Sequence, residues 1–137
     1  MTIFREILEE AVCSVPGAQG AVFADWEGEE VDHYLGDGDL AANATHDAAS
    51  EFEGGRTDMR ILAAHWGIVL FQTVRRFASA GLGDVDELTM CFSRFWVLLR
   101  RVTDHYYVVI LIDGDRGNLG KAISALDRAE KKLREEM

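Results

Sequence analysis

Four histidines, His33, His46, His65 and His105, are the first side chains to weigh as metal ligands. None stands four residues from another, the spacing that brings two imidazoles onto one metal from a helix. Asp37, Asp39, Asp47, Glu51 and Glu53 supply the carboxylate oxygens a hard cation takes. The twelve-residue calcium-loop pattern is absent, however, and the segment reads as a solvated acidic loop. Asp113-Gly114-Asp115-Arg116-Gly117-Asn118 resembles a metal loop more faintly and is better read as a turn into a helix capped by Asn118. The sequence has no phosphate-binding G-x-x-x-x-G-K-[ST] loop, no G-x-S-x-G nucleophile elbow, and no strand leading into G-x-G-x-x-G. We therefore assign no catalytic residue, cofactor site or metal site, and read the chain as non-enzymatic. Arg75 and Arg76 invite comparison with an arginine that stabilises charge on a transferring phosphoryl group. Their place beside an apolar helical stripe instead suggests interface-margin arginines whose stems cover apolar neighbours. Cys13 and Cys91 show no paired-cysteine spacing and are expected to be buried small hydrophobes. Asn43-Ala44-Thr45 matches a glycosylation pattern that a chain without an export signal does not use.

The elements that position these residues must come from a chain of 137 residues, the size of one domain spanning 1–137. Its composition, 48% hydrophobic and 28% charged with one proline, is that of a folded protein. Twenty-four acidic against 14 basic residues leave a formal charge of −10, which repels nucleic-acid phosphates and anionic lipid surfaces. No stretch reaches the roughly 18 apolar residues of a membrane span, and the first residues lack a basic region leading into an apolar run. A cytoplasmic protein is the expectation. Its alanine, glycine, arginine and aspartate usage is compatible with a GC-rich bacterial source.

Phe4, Ile7, Leu8, Ala11 and Val12 recur at helical spacing and predict an N-terminal helix ended by Pro16-Gly17. Residues 18–24 and 29–35 read as a hairpin across Asp25-Trp26-Glu27-Gly28. The apolar pattern then lapses over 36–57, a long acidic connection. Residues 58–80 predict a helix with two apolar faces. Met59, Leu62, Ala63, Trp66, Val69, Leu70, Val74 and Phe77 form a core stripe. Ile61, Ala64, Ile68 and Phe71 lie on roughly the opposite side, with Gly67 beside them and Arg60, His65, Gln72 and Arg75 at the margins. We assign this second stripe, Ile61, Ala64, Ile68, Phe71 and Arg75, to a homodimer interface. Cover by the 36–57 connection is the alternative. Strands are expected at 87–93, 95–103 and 106–113, apolar on both sides where a sheet is covered on both faces. Leu119, Ala122, Ile123, Leu126, Ala129, Leu133 and Met137 predict a closing helix with a charged outer face. The fold class is α/β of the α+β type: a five-stranded antiparallel sheet sandwiched between helices in the order α-β-β-α-β-β-β-α.

Val15-Pro16-Gly17-Ala18, then Gly20-Ala21-Val22, then Asp25-x-x-Gly28, resembles the opening of the Roadblock/LC7 family. The ending is similar too, where Tyr106-Tyr107-Val108-Val109-Ile110-Leu111 leads into Asn118-Leu119-Gly120-Lys121-Ala122. The resemblance covers the chain except 36–57, which is longer than the family's usual connection; the turn at 113–117 is also extended. It implies a homodimer formed through the middle helix and the strand after it, making one continuous sheet. It further implies binding of a small Ras-like GTPase, as in the bacterial MglB-like members, with no catalytic side chain contributed by the domain. A structural scaffold or adaptor without a GTPase partner is the second reading, and a small-ligand sensor with a site near 36–57 the third.

Overall fold

The computed structural model describes residues 2–36 and 59–137. The expectations for the acidic carboxylates Asp37, Asp39, Asp47, Glu51 and Glu53, for His46, for the Asn43 pattern and for Asp58 at the start of the middle helix lie outside the described residues. Helix α1 (Ile3–Cys13) starts at Thr2, whose hydroxyl accepts the Arg5 N–H at 3.1 Å. It buries Ile7, Leu8, Ala11 and Val12, four of the five residues of the expected stripe, and Phe4 packs beside them on Phe23. The remaining elements are β1 (Ala18–Asp25), β2 (Glu30–Leu35), α2 (Met59–Phe77), β3 (Glu87–Cys91), β4 (Phe95–Arg101), β5 (Tyr106–Asp113) and α3 (Leu119–Glu135). Among the described residues the order is the expected α-β-β-α-β-β-β-α.

The strands form one five-stranded antiparallel sheet, spatial order β2-β1-β5-β4-β3. Strands β3 and β4 each end short of the expected residue because backbone bonds close their turns early. Phe92 N–H donates to the Phe95 carbonyl at 2.9 Å, and Val102 N–H to that of Tyr106 at 2.8 Å.

Strand alternation divides the apolar residues into two cores. Ala21, Phe23, Leu98, Val108, Ile110 and Ile112 face α1 and α3, which fill that layer with Leu8, Val12, Leu126 and Leu133. Val22, Ala24, Val97, Leu99, Tyr107, Val109 and Leu111 face α2, which supplies Met59, Ala63, Leu70 and Phe71. Asn118 caps α3 as expected, its side-chain oxygen accepting the Lys121 N–H at 3.0 Å. Just before it, the Asp113 carboxylate accepts the Asp115 N–H at 2.8 Å and pairs with Arg116 at 3.0 Å. The Asp115 bond, against the opposing effect of burial and with Arg116 adding to it, holds the Asp113 carboxyl below the usual carboxylate range.

Candidate protein-binding faces around α2

Helix α2 lies on the sheet in an orientation set by Tyr107. The Tyr107 hydroxyl donates to the Ala63 carbonyl at 2.7 Å, and its ring meets Phe71 edge-on at 5.9 Å. The ring also crosses Gly67 so closely that a Cβ there would stand 2.3 Å from it. Only glycine allows that approach. Burial pushes the Tyr107 phenol well above its ordinary value, with Asp25 adding to the shift, so the hydroxyl remains a donor throughout the physiological range.

With Ala63, Gly67, Leu70 and Phe71 turned to the sheet, the helix differs from expectation at Phe71, Val69 and Phe77. Phe71 is only 7% exposed and belongs to the core of its own chain. Val69 and Phe77, expected in the core, are 42% and 50% exposed, Phe77 being the last residue of α2. The differences at 69 and 71 follow from the Tyr107 ring, which takes the space over Gly67 and draws the helix round so that position 71 points inward. Ile61 and Ile68 are 52% and 42% exposed, as the outward stripe requires. Ala64 is half-buried because the β1–β2 turn packs on it: at Gly28, whose φ is +86°, a Cβ would stand 3.0 Å from the Ala64 Cβ. Asp25 holds that turn by accepting the Glu27 and Glu29 N–H groups, each at 2.9 Å. Arg75 is exposed on the same flank as Ala64 and Phe71.

On the other flank, Trp66 stands 6.4 Å from Phe92, which is itself exposed at the end of β3. Strand β3 pairs only with β4 and leaves its outer edge open among the described residues. Leu88 and Met90 turn toward α2, which puts Glu87, Thr89 and Cys91 on the α3 side of the sheet. Burial raises the Glu87 carboxyl above its ordinary value, with Arg100 opposing and Asp127 reinforcing the shift. Cys91 and Cys13 are both exposed, against the expectation of burial. Cys13 lies at the end of α1 past its buried stripe, and Cys91 at the end of the edge strand β3 on the face away from Leu88 and Met90.

Sequence reasoning missed a groove beside α2. Trp26, Phe71, Val74, Arg75, Arg101, Asp104 and His105 line an open depression of about 310 Å³. The Trp26 N–H donates to the His105 carbonyl at 2.8 Å, joining the β1–β2 and β4–β5 turns above the helix. Arg101 bonds Asp86 at 2.8 Å, Asp104 at 2.9 Å and the Val85 carbonyl at 3.1 Å. An exposed tryptophan in a turn that otherwise reads as polar was the one available signal. Among the described residues no three His, Cys, Asp or Glu side chains gather as a metal site would require, and no helix is long and apolar enough to cross a membrane.

No protein-family profile and no curated protein sequence matches this chain. Solved structures do. An MglB with a tetrameric arrangement superposes with a TM-score of 0.73 at 19% identity, over 95% of this chain and 84% of that one. MglC from Myxococcus xanthus gives 0.63 at 24% identity, over 98% of each chain. A Roadblock/LC7 domain from Streptomyces avermitilis gives 0.71 at 14% identity, over 96% of this chain and 94% of that one. The chain therefore has the Roadblock/LC7 fold, the fold shared by MglB-type proteins.

Proposed function

We propose that the chain is a non-enzymatic homodimer, one Roadblock/LC7-like domain over 1–137, that works in the cytoplasm by binding a small Ras-like GTPase and activating or localising it. The observation that carries this reading is the pairing of an outward apolar stripe, Ile61, Ile68 and Val69, with the open edge of β3 on a Roadblock/LC7 fold. Apolar residues rimmed by Arg60, His65 and Gln72 mark an association surface, and an open strand edge is a template for a second strand. Two such edges meeting about a two-fold axis would extend the sheet from one protomer into the next. In this reading Ile61, Ala64, Ile68 and Arg75 meet the second copy, while Phe71 supports the helix from inside. The tetrameric arrangement named for one MglB neighbour supports self-association, and the family resemblance supports the GTPase.

Two measurements test the reading. Ile68→Asp places a carboxylate in the proposed interface, so light scattering is expected to show monomers with an unchanged circular dichroism spectrum. An unchanged oligomer sinks the α2 interface. Affinity capture from the native cytosol, with mass spectrometry of what co-purifies, is expected to recover a small GTPase preferentially in GTP-loaded lysate. Recovery of non-GTPase partners alone would move the chain to a scaffold.

A further inference from the structure

The groove beside α2 has a composition that the outward stripe lacks. Its floor is aromatic and aliphatic, made by Phe71 and Val74, and its wall is Trp26, 44% exposed on the β1–β2 turn. Tryptophan and arginine are the side chains that most often dominate the energetics of a protein interface, above all where they line a depression that excludes water. Both are present here. The rim carries two positive groups with different standing. Arg101 is spent on Asp86 and Asp104, so that neither it nor Asp104 offers an unmatched charge. Arg75 has no acidic partner among the described residues, and it stands over the apolar floor.

The shape selects the kind of ligand. At about 310 Å³ the depression lies at the low end of the roughly 300–1,000 Å³ typical of small-molecule pockets. Arg75, Asp104 and His105 are all exposed along it, so it cannot enclose a small molecule on all sides. It can seat one or two side chains of a segment laid across it. At 100° per residue, Phe71 and Arg75 occupy the flank of α2 opposite Trp66, whose neighbour Phe92 directly follows β3. The groove is therefore set apart from the β3 edge.

We propose that this groove docks a segment of a different protein that presents an apolar side chain next to a carboxylate, the apolar group on Trp26, Phe71 and Val74 and the carboxylate on Arg75. The proposal rests on the reading that the chain works by binding proteins, and it assigns Arg75 to this partner in addition to the margin of the self-interface. It does not require the self-interface.

The test is a titration of the ¹⁵N-labelled full chain with two blocked tetrapeptides, Asp-Leu-Phe-Asp and Lys-Leu-Phe-Lys, followed by NMR. With the acidic peptide, saturable shifts are expected at the Trp26 indole, Val74, Arg75 and His105, and binding about tenfold weaker with the basic one, a difference of about 1.4 kcal/mol. Trp26→Ala should weaken the acidic peptide about tenfold, and Arg75→Glu, a change at an exposed position, should invert the preference between the two peptides. No shifts at these four residues, equal binding of both peptides, or shifts confined to Ile61, Ile68 and Val69 would each overturn the proposal. Running the same titration on Ile68→Asp separates the two readings. Loss of the oligomer with retained peptide shifts leaves the groove standing alone, and an unchanged oligomer discards the self-interface while the peptide result still decides the groove.

Discussion

The two faces of the sheet are finished differently. On one, α1 and α3 lie side by side and together cover the strands, and their outward surfaces are charged. Lys132 pairs with Glu10 at 2.9 Å across the two helices, and Lys131 with Asp127 at 3.2 Å within α3. On the other face the only helix among the described residues is α2, and its outward surface carries Ile61, Ile68 and Val69 in place of ion pairs. Two helices side by side bury their apolar stripes in each other as well as in the sheet, which leaves charge for the solvent. A single helix has two flanks and an outer side to dispose of, and apolar residues there have value only when something else covers them. In the proposed function the α2 face is the one that meets partners.

The comparison can be broken most sharply at the helix glycines. Gly67→Ala forces a Cβ into the buried Tyr107 ring, which is held by Ala63 and Phe71 and cannot swing away. A loss of about 1–3 kcal/mol or more is expected, read as a lower urea midpoint. Gly120→Ala in α3 meets only the Asn118 side-chain oxygen at 3.5 Å, an ordinary contact. There the alanine is expected to be neutral or to stabilise by up to about 1 kcal/mol. Equal losses at the two sites would show that Tyr107 does not set the seat of α2.

A smaller effect is expected from Tyr107→Phe, which keeps the ring over Gly67 and removes the bond to the Ala63 carbonyl. A cost of about 1 kcal/mol in denaturant unfolding, with the fold retained, would match a buried hydrogen bond whose acceptor keeps its helical partner. No change would mean that ring packing alone orients the helix.

The smallest effect belongs to the α3 side and depends on pH. The Asp113 carboxyl titrates below its ordinary value, so the folded state favours its ionised form. Its contribution is present in full above the ordinary carboxylate range and is lost as pH falls through the depressed folded value. Asp113→Asn is therefore expected to lower stability slightly at neutral pH and to flatten the acid limb of the unfolding profile. An unaltered acid limb would remove Asp113 from the account of how the turn into α3 is held.

Much of this architecture was legible in the residues. The stripe of α1, the strand positions, the turn at Asp25 to Gly28 and the Asn118 cap all rest on local periodicity and turn chemistry, which a sequence displays directly. The two-faced character of α2 was legible for the same reason. Its rotation was not, because two apolar faces of one helix are distinguished only by what the sheet presents to them. Strand β5 presents Tyr107, whose ring needs a glycine beneath it and a carbonyl beyond it, and Gly67 and Ala63 answer that need from 40 residues or more away.

What the sequence alone determined, then, was the order of elements, the fold class and the presence of a helix with more apolar surface than one core can use. Each follows from spacing along the chain. The tertiary structure decided that Phe71 turns inward and Val69 outward, that both cysteines face solvent, and that Trp26, Phe71 and Arg75 border one groove. Those outcomes depend on contacts between residues far apart in the chain, and periodicity carries no information about which distant side chain will fill a given space.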